Sequence, residues 1–190
     1  FFKKHSILSK YFKQYLITRC QLPQQEKFRL AIVDGFSGAG LYKNDEYGSP
    51  VIFVDVLRST TNEINLHRVS QGMKPIQIEC LLIFNDHSKS TIYQLRENLA
   101  PHIAFAKESA PNLHLEYEFF NDEFELIYPK IKQRLLSAIC GNVLFNLDQC
   151  GYSHVKSNTI RDIVNSWRSA EVLLTFMIGS LLTYISPNKD

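Results

Sequence analysis

Five short strand-like segments recur along the chain, at 28–33, 76–84, 113–119, 142–147 and 170–178, with segments of helical spacing between them. A short run of apolar and β-branched residues bounded by turn formers reads as a buried strand. Apolar residues repeating at three and four read as one face of a helix. The alternation therefore predicts an α/β fold, a mostly parallel sheet with helices on both faces.

The helical segments can be placed individually. Ile7, Leu8, Tyr11, Phe12, Tyr15 and Leu16 share one face of a helix that ends before Pro23. Ser49 fits a helix cap and Pro50 its first turn, which predicts a helix over 51–57. The polar stretch 60–75 reads as loop. A helix over 88–99 is expected to stop at Pro101. Another covers 124–139, with Ile127, Ile131, Leu135 and Leu136 on one side and Pro129 in its first turns. A last one covers 159–167, with Ile160, Ile163, Val164 and Trp167 inward. Residues 1–24 form an N-terminal helical segment and 25–190 one domain.

Composition narrows the function classes. With 45% hydrophobic residues in 190, the chain can bury a core. Its net charge of +2 gives no overall pull toward nucleic acid, although a local patch can hide in a balanced total. Cys20, Cys80, Cys140 and Cys150 show no metal-ligand spacing, and a disulfide framework is not expected; the compartment reads as reducing and cytoplasmic. The most apolar stretch, 170–185, is interrupted by Glu171, Gly179 and Ser180 and is shorter than a membrane span.

Polar residues gather where the strands end, the edge at which open α/β sheets bind ligands. The first strand runs into Asp34-Gly35-Phe36-Ser37-Gly38-Ala39-Gly40. Gly35, Gly38 and Gly40 let the backbone turn sharply and approach a ligand closely. Asp34 can anchor a cofactor's amino group or organise the loop. No Lys follows the last glycine, so this is not a phosphate loop of the GxxxxGK[ST] kind, and the full G-x-G-x-x-G fingerprint is absent. Asp86 ends the second strand, where a carboxylate can hold both ribose hydroxyls or cap the following helix. Asn121, Asp122 and Glu123 end the third, with Asp122 placed toward an adenine amino group. The fourth strand delivers Asp148, followed by Gly151 and Tyr152: a carboxylate to hold an acceptor's N–H and a ring to stack on it. Cys150 reads as pocket lining, because Gln149 stands where a cytosine-type nucleophile would have Pro and no base is paired with it. His154 is a possible proton shuttle. His5, His67, His87, His102 and His114 lack metal spacing.

The segment from Asp34 to Gly40, then Tyr42, then Gly48-Ser49-Pro50, resembles the opening of the three-Cys-motif partner (TcmP) proteins, whose pattern is D-G-F-[AS]-G-x-G-x-Y followed by a G-S-P helix start. Their D-P-[FY]-G segment is matched in part by Asp148-Gln149-Cys150-Gly151: Gln149 replaces the proline and Cys150 the aromatic residue. The resemblance spans nearly the whole chain. It implies a Rossmann-like methyltransferase-type sheet of order 3-2-1-4-5, with S-adenosylmethionine over Gly35, Phe36, Gly38 and Gly40. It also implies a phage-related or defence setting beside a gene for a protein with three clustered cysteines. The departure at Gln149 bears on catalysis more than on fold. Two functions are expected from this: methyl transfer to nucleic acid or a related acceptor, or a non-catalytic partner that keeps the fold. A metal-dependent nuclease lacks the needed His and carboxylate cluster. Such sheets end in an antiparallel hairpin after the fifth strand, so the natural chain is expected to continue past Asp190, and the initial Phe suggests that it also begins earlier.

Overall fold

The structure is a computed structural model that describes residues 2–42, 46–138, 140–148 and 155–175. In chain order it contains α1 (Phe2–Arg19), β1 (Lys27–Asp34), α2 (Ser49–Ser70), β2 (Gln77–Asn85), α3 (Lys89–Ser109), β3 (Leu113–Phe120), α4 (Phe124–Ser137), β4 (Asn142–Leu147), α5 (Ser157–Ser166) and β5 (Ser169–Leu174). The five strands form one parallel sheet of order β3-β2-β1-β4-β5. This is the Rossmann-like topology, and β1 is where the strand order reverses.

The two-residue period of each strand separates the helices into layers. Leu30, Ile32, Ile78, Leu82 and Leu144 point to one face, where they pack with Phe12 and Leu16 of α1, Phe53 and Leu57 of α2, and Leu95 and Leu99 of α3. Ala31, Val33, Leu81, Ile83 and Phe145 point to the other, against Phe124, Ile131 and Leu135 of α4 and Ile163 of α5. Both faces of the central strands are thus dry, which explains why β1, β2 and β4 read as continuous apolar runs.

Four sequence expectations need correction. Ser49 does not cap α2. The cap position is Gly48, whose N–H donates to the Gly40 carbonyl at 2.8 Å, and Ser49 is the first helical residue. A Cβ on Gly48 would stand 3.2 Å from the Gly40 carbonyl, so the close crossing of the two segments favours glycine. Residues 60–70 are helix, not loop: α2 continues to Ser70. Two of its polar residues, Asn65 and Arg68, are buried with partners in place. Asn65 bonds the backbone of Ile76 from both ends of its amide, at 2.7 and 3.0 Å, while Arg68 donates to the carbonyls of Cys20, Leu22, Pro23, Gln25 and Lys74. Pro101 does not stop α3, which runs to Ser109 because Ile103 and Ala106 beyond the proline are core residues and Pro101 itself faces solvent. Finally, the apolar faces are narrower than their spacing suggests. Ile7, Leu136 and Val164 are exposed, and Trp167 follows α5 as its extended cap, packed on Phe145.

Among the described residues no helix is long and apolar enough to cross a membrane. Cys20, Cys80 and Cys140 are free thiols. No group of three His, Cys, Asp or Glu among the described residues is placed to hold a metal ion.

Candidate functional site at the strand ends

Asp34 is the last residue of β1, paired across the sheet with Phe84 of β2 and Asn146 of β4. It follows Leu30 and Ile32 in the alternation, so it points to the α1–α3 side, where it is fully buried. The Asn146 side-chain amide donates to Oδ1 at 3.2 Å, and Oδ2 has no hydrogen-bond partner. Burial pushes the Asp34 carboxyl up to about 7; the Ser49 hydroxyl, the Asn146 amide and the Phe36 N–H oppose that rise, and the charge of Asp148 adds to it. A carboxylate at the end of the central strand is therefore poised to gain or lose a proton near neutrality.

The loop that follows is fastened on three sides. Gly35 N–H extends the β1–β4 ladder to the Asn146 carbonyl at 3.0 Å. The Ser37 N–H and hydroxyl both donate to the Asn85 carbonyl, at 2.9 and 3.0 Å. Gly38 N–H donates to Asp86 Oδ2 at 3.2 Å, and the Asn98 amide donates to the Ala39 carbonyl at 2.9 Å. The glycines serve different ends. At Gly35 a Cβ would lie 2.8 Å from Phe124 and 2.9 Å from Leu147, so that glycine is needed for packing against α4 and β4 and not for ligand approach. Gly40 has φ +78 and sits beneath Leu95. Gly38 has φ +62, and no atom lies within 4 Å of where its Cβ would be. Of the three, Gly38 alone presents bare, left-handed backbone to open space. The Phe36 ring leans on Phe124 at 5.8 Å.

Asp86 ties the glycine loop to the start of α3. Oδ1 accepts the Ser88 N–H at 2.9 Å, Oδ2 accepts the Gly38 N–H, and the helix cap itself is Ser88, whose hydroxyl accepts the Thr91 N–H. Each oxygen keeps lone-pair capacity for a further donor. Asp122 is exposed; its Oδ1 accepts the Glu123 N–H at 2.8 Å. Asp148 is half-buried one residue past β4 and lines a cavity of about 350 Å³ with Ser49, Asn146, and residues from α1 and β5. Gly35, Phe36, Gly38, Gly40, Asp86 and Asp122 do not line that cavity. The edge thus has two parts, the loop with the β2 and β3 tips, and the cavity at the β4 and β5 tips, and Asp34 stands between them. Tyr152, with Gln149, Cys150, Gly151 and His154, lies outside the described residues.

Two residues central to this arrangement carry no role in the motif reading. Asn85 is buried and ties three segments together: its amide nitrogen donates to the carbonyls of Gly35 and Asp122, and its Oδ1 accepts the Asp122 N–H. Asn146 holds Asp34. Each is a lone asparagine at the end of an apolar strand run, and that placement is the signal by which sequence can find them: a buried amide is expected only where its hydrogen bonds are supplied.

Comparison of the chain with protein-family models gives no match, and no curated protein matches it.

Proposed function

We propose that this chain is an S-adenosylmethionine-dependent methyltransferase acting on nucleic acid or a nucleic-acid-related acceptor. The observation that carries the reading is the loop at Asp34–Gly40 (34–40), set at the point of strand reversal and fastened to the tips of β2 and β4. The residues present fit such a cofactor. Gly38 offers uncovered backbone, and Asp86, with lone pairs to spare, sits beside it for the ribose hydroxyls. Asp122, at the end of β3, is available for the adenine amino group. The bound sulfonium would supply an electrophilic methyl and its own leaving group. The protein's task is then to position the acceptor and shape the charge around it. Asp148 would accept a hydrogen bond from the acceptor's N–H, with Tyr152 as its stacking partner. The resemblance to the TcmP proteins supports the same reading and adds a candidate partner, the neighbouring-gene protein with three clustered cysteines, in the cytoplasm.

The second reading is a non-catalytic partner that keeps the fold. Two observations favour it: Gln149 stands in place of the motif's proline, and both Asp86 oxygens already bind backbone N–H groups, a structural duty that would persist without any cofactor. Isothermal titration of the folded chain with S-adenosylmethionine tests the first reading, and no heat of binding would sink it. Binding without methyl transfer to DNA, RNA or the cysteine-rich partner would establish the second.

A further inference from the structure

The cavity at the tips of β4 and β5 has a chemistry that can be read from its walls. Ile7, Leu8 and Tyr11 of α1 form one side, and residues 172–174 of β5 form another. Ile7 is 67% exposed and Tyr11 38% exposed, so apolar surface at this opening stands uncovered. The inner end is polar, formed by Ser49, Asn146 and Asp148. Behind it Asp34, fully buried, is joined to the wall through the Asn146 amide at 3.2 Å, and its Oδ2 has no hydrogen-bond partner. No Lys or Arg is among the described residues that line the cavity; the other titratable groups there are Tyr11, whose hydroxyl donates to Glu171, and His5, whose ring lies tilted against Tyr42 with centroids 5.4 Å apart. A space of about 350 Å³ is at the small end for ligand pockets, enough for one substituted ring and too little for a duplex.

We propose that this cavity takes a planar ring bearing N–H donors, neutral or cationic, that α1 is the wall setting its size, and that anionic rings are rejected. A carboxylate accepts hydrogen bonds and, ionised, donates none, so Asp148 at the polar end of the cavity selects donors. Beside apolar walls it also repels a ligand of like charge more strongly than it would in water. Any phosphate attached to the ring must therefore stay outside. As the acceptor side of a methyltransferase, the cavity rests on the function proposed above; its ligand preference rests on the walls alone.

Two isosteric pairs test it on the full chain by calorimetry or ligand-observed NMR. Benzamidine carries planar N–H donors where benzoate carries anionic acceptors, and cytidine carries an exocyclic amine where uridine carries a carbonyl. Benzamidine and cytidine should bind at least about tenfold more tightly than their partners, the size of one charge-assisted hydrogen bond. Ile7→Trp, at an exposed position that leaves the core intact, should fill the opening and weaken both by about tenfold or more. Asp148→Asn should erase the preference for benzamidine over benzoate. Oligodeoxycytidine binding more tightly than cytidine points to a base presented by nucleic acid; the reverse order points to a free small molecule, and either agrees with the proposed chemistry. Equal affinity within both pairs, or affinities unmoved by Ile7→Trp, overturns it. S-adenosylmethionine titrated into the same sample reports separately on the methyltransferase function, so its failure and the failure of the ring preference are distinguishable.

Discussion

Asp34 shows how one side chain can set a pH response. Its pKa is raised from 3.8 to about 7, chiefly by burial, with Ser49 and Asn146 resisting and Asp148 assisting. A raised pKa means that the folded state holds a proton that the unfolded chain has already lost. Stability contributed in this way is full below the unfolded value, falls as pH rises by up to about 1.4 kcal/mol per unit, and levels off above the folded value. Urea midpoints should therefore drop between about pH 4 and about pH 7 on account of this residue. Asp34→Asn should flatten that dependence, and an unchanged slope would place the titrating group elsewhere. On the proposed function, the other carboxylates are expected to separate into acceptor-side and cofactor-side roles. Asp148→Ala should cost about 10²- to 10³-fold in transfer rate with cofactor affinity nearly intact, as for loss of one polar contact to a transition state. Asp86→Ala should weaken cofactor binding and recover at high cofactor concentration. Single-turnover rates beside titrations would separate the two patterns; equal rates for wild type and Asp148→Ala would remove Asp148 from the chemistry.

Four of the strands were legible because each is a largely apolar run ended by a polar residue, β3 because apolar residues alternate with His114, Glu116 and Glu118, and α4 because its spacing is regular. What stayed hidden was what needs a partner to make sense. The second half of α2 looks like loop until the backbone carbonyls that Arg68 binds and the Ile76 backbone that Asn65 binds are in place. Pro101 looks like a stop because the core contacts of Ile103 and Ala106 cannot be seen locally. In the candidate site, Asp34 and the glycine loop announce themselves by composition, whereas Asn85 and Asn146 work through bonds to other strands. Two element-scale predictions follow from these packings. Gly35→Ala should destabilise by about 1–3 kcal/mol, because its Cβ meets Phe124 and Leu147 at under 3 Å. A smaller side chain at Phe124 should recover part of that loss in a double-mutant cycle. Pro101→Ala restores an N–H at a solvent-facing helix position and should stabilise α3, by up to about 3 kcal/mol. Chemical denaturation reads both; a neutral Gly35→Ala would mean that Phe124 and Leu147 yield freely.

For the molecule as a whole, a ligand that binds only the folded state must add to its stability. S-adenosylmethionine at about a hundred times its Kd should add about 2.7 kcal/mol, and a flat denaturation midpoint across that range would count against the cofactor. The shape of the response can differ along the chain because of how α1 is held. Arg68 grips the carbonyls of Cys20, Leu22, Pro23 and Gln25 just past the end of the helix, and Arg19 bonds Asn142. Farther out, Tyr11 donates to Glu171. α1 is held at Arg19, along its buried face by Leu8, Phe12 and Leu16, and at Tyr11, so its outer turn is the part held least. From Arg19 to His5 is about 21 Å at 1.5 Å per residue, so a tilt of only about 10° about the root would carry the outer end some 4 Å, roughly, while the root barely stirs. The cavity wall is the outer end. Small rotations at the clamp would therefore change its width, and hydrogen exchange should slow from His5 toward Arg19.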